Sequence, residues 1–280
     1  MYQIVTKEYL NPTVVSMDIL APAVAARAKA GQFIILRVDG EGERIPLTVA
    51  GYDRAAGTVR IIFQTVGAST MLLAAKNAGE SIADFVGPLG KATEVEGISR
   101  ALVVGGGVGC AIALPVVQAL HEQGCSVHAI VGFRNKDLVI LEEEFAAASD
   151  SLIVMTDDGS YGTQGNVTTP LKQLLESGEA FDRVITIGPL IMMKYVVETL
   201  RPYQIPVVAS MNPIMIDGTG MCGGCRLTVG GKTKFACVDG PEFDGYEIDF
   251  DQALERGSMY RDFEAHAREA ACNLLAKEVE

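Results

Sequence analysis

Residues 100–124 read "RALVVGGGVGCAIALPVVQALHEQG". The run from Ala101 to Val104 is short, apolar and bounded by glycine, as expected of a strand buried on both faces. An apolar-periodic stretch then runs to Gly124, predicting a helix that ends at that glycine. A strand, a glycine loop and a helix in this order let the backbone approach a ligand closely, and the helix N-terminus offers unpaired N–H groups to a pyrophosphate. Gly105, Gly107, Val108 and Gly109 are therefore candidate dinucleotide contacts. The match to G-x-G-x-x-G departs at one place: Cys110 stands where the third glycine falls, and an extra glycine stands at 109.

Outward from this stretch the alternation continues. "SVHAIVGF" (126–133), "SLIVMT" (151–156), "FDRVITIGP" (181–189) and "PVVASM" (206–211) read as strands. "LEEEFAAASD" (141–150), "VTTPLKQLLESG" (167–178) and "LIMMKYVVETLRPYQ" (190–204) read as helices. Such alternation predicts a doubly wound parallel α/β sheet over 98–212. In that fold the carboxyl ends of the strands surround the ligand. The loops "TDDGSYG" (156–162) and "IGPL" (187–190) add Asp157, Asp158, Gly159, Gly188 and Pro189 as candidates. The second strand ends in "GFRN" (132–135), so the usual ribose-binding acid is missing and Arg134 stands near its place.

Residues 1–97 look different. "AGQFIILRVDG" (30–40) and "GTVRIIFQTVG" (57–67) are β-branched runs bounded by turn residues, predicting a small barrel. A helix is expected around 69–78, with Gly67, Ser69 and Thr70 at its start as candidate phosphate contacts. "GPLGK" (87–91) reads as a closing turn.

The chain has 280 residues, 49% of them apolar, and a net charge of −12. That acidity argues against nucleic acid as a partner. No run of about 18 apolar residues predicts a membrane span, and the first residues lack a secretory pattern, so a cytoplasmic location is expected. Part of the acidic surplus lies in a helical tail beyond 250, read as a solvated face with docking to a partner as the second reading.

Six cysteines in such a chain do not suggest a disulfide framework. Cys110, Cys125 and Cys272 are isolated and read as packing residues. Cys222, Cys225 and Cys237 lie in "DGTGMCGGCRLTVGGKTKFAC" (217–237), where a Gly-Gly turn predicts a hairpin that brings Cys237 back to the other two. Zinc requires a fourth Cys or His, and the histidines, at 121, 128 and 266, are all distant in sequence. A [2Fe–2S] cluster also takes four ligands, and Asp217, five residues before Cys222, is the candidate for the fourth.

"KAGQF" (29–33), "RIPLT" (44–48), "VGAST" (66–70), "GPLG" (87–90) and "GGGVG" (105–109) occur in an order similar to the ferredoxin–NADP reductase superfamily. The resemblance implies a flavin-binding barrel followed by a nicotinamide-binding domain. Its flavin motif, R-x-[YP]-[ST], implies that Thr48 sits by the flavin ring and donates a hydrogen bond near its reactive nitrogen. Arg44, one place earlier than the motif has it, would then meet the FAD phosphate. Pro46, Leu47, Phe63, Gln64 and Val66 complete the flavin contacts so implied. With the cysteine loop (213–280 including the tail), the order resembles the electron-transfer subunit of dihydroorotate dehydrogenase B. The D-x4-C-x2-C-x11-C spacing is more similar to the small subunits of NADH-dependent ferredoxin:NADP+ oxidoreductases. That resemblance implies FAD, NAD(H) and a [2Fe–2S] cluster held by Asp217, Cys222, Cys225 and Cys237. It also implies a large partner subunit with a second flavin and [4Fe–4S] clusters, ferredoxin being reached through that partner. Another flavin-based complex using this module, and a zinc-stabilised binding protein, are the remaining alternatives.

Overall fold

In the computed structural model, which describes residues 1–277, the described chain builds two seven-stranded sheets and a two-stranded hairpin. The first sheet holds β1 (Tyr2–Asn11), β2 (Val14–Leu20), β3 (Phe33–Arg37), β4 (Arg44–Asp53), β5 (Thr58–Gln64), β6 (Ser81–Ile82) and β7 (Asp84–Leu89). It is antiparallel, in the order β6-β1-β2-β5-β4-β3-β7. Its two edge strands, β6 and β7, are separated in the chain by Ala83 alone, whose N–H donates to the carbonyls of Arg37 and Val38. One residue cannot cross a flat sheet whose strands lie about 4.8 Å apart. The sheet therefore curls until its edges meet, giving the barrel expected from the sequence. Ile34, Leu36, Val49, Ile61, Phe63 and Phe85 fill its interior.

The second sheet holds β8 (Arg100–Gly106), β9 (Ser126–Phe133), β10 (Ser151–Thr156), β11 (Thr163–Gln164), β12 (Arg183–Ile187) and β13 (Val207–Ser210). These strands are parallel, in the order β11-β10-β9-β8-β12-β13. Strand β8 is apolar on both faces. Leu102 and Val104 pack into one core, with the helices Thr168–Glu176 and Leu190–Leu200, while Ala101 and Val103 pack into another, under Gly109–Glu122. The doubly wound arrangement read from the sequence is the one observed.

Beyond β13 the chain forms the cysteine loop and a hairpin, β14 (Arg226–Val229) with β15 (Lys232–Phe235). Gly230 and Gly231 connect them, both at positive φ (57° and 70°), as a two-residue hairpin turn requires. The chain then returns to the second sheet, where β16 (Glu242–Asp244) pairs antiparallel with β13. Two helices follow, Phe250–Gly257 and Arg261–Lys277. The last of them packs along the barrel helix Ala68–Ala75.

Two expectations are corrected. "GPL" (87–89) lies inside β7 rather than in a turn, because its backbone pairs with β3. Cys272 is exposed on the last helix and packs into no core, whereas Cys110 and Cys125 are buried. Among the described residues no helix is long and apolar enough to cross a membrane.

Candidate active site

The carboxyl ends of β8–β10, β12 and β13 face the barrel across a cleft of about 1070 Å3. In doubly wound sheets the crevice opens where the strand order reverses. Here that point lies between β8 and β12, where Gly105 and Ile187 are register partners.

The glycine loop lines the floor through Gly106, Gly107, Val108 and Gly109. Gly107 adopts φ +55°, its N–H donates to the Gly132 carbonyl (2.8 Å), and a side chain there would meet nothing within 4 Å, so the space above its Cα is open to a ligand. A Cβ on Gly109 would lie 2.7 Å from Gly188 Cα and 2.8 Å from the Ile187 carbonyl oxygen. The loops after β8 and β12 therefore touch backbone to backbone, which explains the extra glycine. The departure at Cys110 has a similar cause. Its sulfur is fully buried and would lie 3.0 Å from a Cβ on Gly105, so the strand glycine makes room for the helix side chain. Gly105 thus serves packing and does not line the cleft. Arg134, Asp157, Gly188 and Pro189 do line it. Asp158 and Gly159 do not: the Asp158 carboxylate accepts from the Ser160 N–H (2.9 Å) and hydroxyl (2.6 Å), and Gly159 turns the same loop at φ +73°.

The barrel supplies the opposite wall, with Pro46, Leu47, Thr48, Phe63, Gln64, Val66 and Thr70. Alternation along β4 explains the displaced arginine. Ile45 and Leu47 pack against the barrel core, so Arg44, Pro46 and Thr48 share the other face. An arginine at 45 would point into the core, whereas Arg44 is exposed on the side of Thr48, beyond the cleft's rim. The helix Ala68–Ala75 starts from Gly67, whose N–H donates to the Thr70 hydroxyl (3.1 Å). Ser69 donates to Glu43 (3.0 Å), so Gly67 and Ser69 face away from the cleft lining.

Sequence reasoning missed several lining residues, among them Phe33, Met192, Tyr195, Asn166, Met211 and Met215. Apart from Phe33, which ends "KAGQF" (29–33), no binding motif contains them. They converge because the strand ends and the loop after β13 meet there, and only the register of the sheets reveals it.

The cysteine loop lies beside this cleft. Asp217 accepts the N–H of Thr219 and of Cys222, both at 2.8 Å, and the Thr219 bond in particular holds its carboxyl below the ordinary range. The sulfurs of Cys225 and Cys237 are buried and 3.2 Å apart. Burial, then the neighbouring Cys225 sulfur, pushes the Cys237 thiol up, so two thiolates there require a cation. Gly218 allows the loop to sit against the barrel, where a Cβ would lie 2.8 Å from Leu89 Cδ1 and 3.0 Å from Ile35 Cγ1. Phe33 and Met215, which line the cleft, belong to the same buried core as Cys225 and Cys237.

The residues fit the groups the sequence suggests. An open glycine backbone at a helix N-terminus beside a barrel wall suits a dinucleotide facing a flavin. Among the described residues no three His, Cys, Asp or Glu side chains converge on one ion. The sulfurs of Cys225 and Cys237 stand together, and the Asp217 carboxylate is tied to the same loop through the backbone N–H of Cys222. Three thiols and a carboxylate are a donor set that suits iron in a [2Fe–2S] cluster, whereas structural zinc takes Cys and His.

Comparison with known proteins agrees with this architecture. A ferredoxin NADP+ reductase from Neisseria gonorrhoeae, solved with bound FAD and NADP, shares the fold at 18% identity, with a TM-score of 0.56 over 72% of this chain and 90% of that one. Together with the relatives that follow, this makes the chain a flavin and iron–sulfur oxidoreductase subunit of the ferredoxin-reductase type. Residues 212–249 match the iron–sulfur cluster binding domain of dihydroorotate dehydrogenase B. A Thermotoga maritima homologue of that enzyme's electron transfer subunit is 45% identical, over 94% of this chain and 92% of its own. The chain belongs to the family of dihydroorotate dehydrogenase B electron transfer subunits and their homologues. Within the same similarity range stands a structure of an NADH-dependent reduced ferredoxin-NADP oxidoreductase, described as electron-bifurcating. It is 42% identical, with a TM-score of 0.91, covering 96% of this chain and 97% of that one.

Proposed function

We propose that this chain is the small subunit of an electron-bifurcating NADH-dependent ferredoxin:NADP+ oxidoreductase, passing electrons between NAD(H), FAD and a [2Fe–2S] cluster. The observation that carries the reading is the shared buried core: Phe33 and Met215 line the cleft and pack with Cys225 and Cys237. A dry, close-packed route joins the place where a hydride would arrive to the place where single electrons would leave. FAD would supply the exchange between a two-electron hydride and one-electron carriers.

The chain's own residues bind and orient. Val108 and Gly109 offer backbone N–H groups to a pyrophosphate, Gly107, whose own N–H donates to the Gly132 carbonyl (2.8 Å), leaves room for it, and Gly188 and Pro189 border the nicotinamide side. Arg44 and Thr70 lie toward the flavin phosphates, and Thr48 holds a hydroxyl toward the ring. Asp217, Cys222, Cys225 and Cys237 would hold the cluster. The division at 97 and 212 belongs to the same proposal. Cys110 and Cys125 are buried and Cys272 stands alone, so the described residues offer no second cluster site. Electrons must leave to a partner, proposed to be a large subunit with a second flavin and [4Fe–4S] clusters that serves ferredoxin.

A second reading, the electron-transfer subunit of dihydroorotate dehydrogenase B, is favoured by the match over 212–249. Asp217 weighs against it, since the D-x4-C-x2-C-x11-C spacing is more similar to the small subunits of NADH-dependent ferredoxin:NADP+ oxidoreductases. Anaerobic co-purification with the native partner decides. The expected product is yellow-brown, holds flavin and roughly two irons in this chain, and couples NADH to ferredoxin and NADP+. Orotate-linked turnover instead supports the second reading, and a colourless zinc protein overturns both.

A further inference from the structure

Between Cys222 and Cys225 the carbonyls of both intervening residues, Gly223 and Gly224, are held by arginines. We infer that Arg226 sets the reduction potential of the cluster through the first of these peptide units, an inference that rests on the [2Fe–2S] reading of the cysteine loop. In this role Arg226 is a positioning residue, whose guanidinium acts through the backbone and not on the iron itself.

Three observations carry it. First, the Gly224 N–H donates to the Cys222 sulfur (3.4 Å). The carbonyl of the same peptide unit, that of Gly223, accepts from the Arg226 guanidinium (3.0 Å) and from the Arg226 backbone N–H (3.4 Å). A cation thus sits at the negative end of a peptide dipole whose positive end meets a ligand sulfur. Hydrogen bonds in such a chain polarise one another. Second, the next peptide unit repeats the arrangement. The Gly224 carbonyl accepts from Arg256 (3.3 Å). A trans peptide points its C=O and N–H in opposite directions, so the Cys225 N–H is turned away from that arginine. Arg226 and Arg256 both line a groove of about 420 Å3 between the hairpin and the helix Phe250–Gly257, which places the two cations on one side of the loop.

Third, the arrangement is built. The Asp249 N–H donates to the Thr228 carbonyl (3.0 Å) and the Thr228 hydroxyl to the Gln252 side chain (2.8 Å), clamping the helix Phe250–Gly257 to β14. Arg256 stands one turn beyond Gln252 and is thereby aimed at Gly224. Among the described residues neither arginine forms an ion pair with a carboxylate, although the chain carries 35 acidic side chains. Their charge is directed at the loop.

Reduction adds one negative charge to a [2Fe–2S] cluster, and hydrogen bonds to the sulfurs help to set its potential. An N–H polarised by a cation favours the more negative state. Arg226 therefore holds the midpoint potential above the value that the same ligands would give without it.

The test is a redox titration of the holo-complex followed by electron paramagnetic resonance. At the wild-type midpoint, Arg226→Met should lower the ratio of reduced to oxidised cluster roughly tenfold, about 59 mV for a one-electron couple, with iron and flavin content unchanged. Arg226→Lys keeps the cation and should recover most of the shift. Arg256→Met should move the midpoint in the same direction. Lys234→Met removes an exposed charge from the same hairpin, one with no hydrogen bond to the loop among the described residues, and should leave the midpoint in place. If Arg226→Met loses its iron, Arg226→Gln, which keeps a donor for Gly223 without the charge, must show the fall instead. An unchanged midpoint in whichever of these two keeps its iron, or an equal fall in Lys234→Met, overturns the inference. A wild-type complex that gives no [2Fe–2S] signal on reduction with dithionite strikes the proposed function itself.

Discussion

Glu242 allows a worked pH prediction. It lies on β16, where the barrel, the connecting segment and the cysteine segment meet. Its carboxylate accepts a hydrogen bond from the Thr93 hydroxyl at 2.6 Å, and Gly31 is pressed against the same pair. Burial pushes its carboxyl up from 4.5 to about 6, although Thr93 and the charge of Arg183 pull the other way. A shift of that size is worth about 2 kcal/mol at roughly 1.4 kcal/mol per pH unit. The sign follows from the protons bound. The folded state holds the proton more tightly than the unfolded one, so folding gains nothing from ionisation. This contribution is fully present below 4.5 and is lost as pH rises through about 6. Above that, the protein carries a buried carboxylate at a cost of about 2 kcal/mol. Glu242→Gln keeps the acceptor for Thr93 and removes the charge. Thermal melts of the holo-complex between about pH 5 and pH 8 should show the variant gaining on wild type as pH rises, reaching roughly 4–8 °C at the alkaline end. Parallel curves for the two proteins across that range would refute the reasoning.

Gly109→Ala forces a Cβ to 2.7 Å from Gly188 Cα, so the loops after β8 and β12 must separate. The KM for NADH should rise roughly tenfold, for a backbone shift of about 1–3 kcal/mol, with flavin retained; steady-state kinetics with ferricyanide read it. Arg44→Ala should weaken flavin retention on gel filtration by roughly tenfold or more, the loss of a charged hydrogen bond of about 1.5–3 kcal/mol. An undiminished flavin content would remove Arg44 from the site. Asp217→Ala should lower iron content and alter the electron paramagnetic resonance signal, whereas Asp217→Cys should keep both irons with a changed midpoint potential. An intact, unaltered signal in Asp217→Ala would mean that another residue is the fourth ligand.

Much of the α/β domain was legible because a parallel strand buried on both faces is an unbroken apolar run that differs in kind from the amphipathic helices between. The hairpin was legible because Gly230 and Gly231 both adopt φ values that other residues avoid. β16 was not: Glu242, Phe243 and Asp244 carry no strand signature, and only the free edge of β13 makes them one. The same limit hid Phe33 and Met215, whose place in the cleft depends on the packing of segments far apart in the chain. Arg44 was legible as a residue and not as a contact, because a shift of one position in a strand changes the face rather than the distance. Cys272 was misread because cysteine is usually buried, and among the described side chains of residues 261–273 nearly all are exposed.

The cysteine loop leaves the second sheet at β13 and rejoins it at β16, the strand immediately beside. A segment anchored at both ends to neighbouring strands has no swing. It cannot act as a mobile arm that collects an electron at one place and delivers it at another. The spacing between the cleft and the sulfurs is a constant of the fold, so the wire inside this subunit has one length. Any switching of the current must occur at its two terminals, where the nucleotide arrives and where the partner docks.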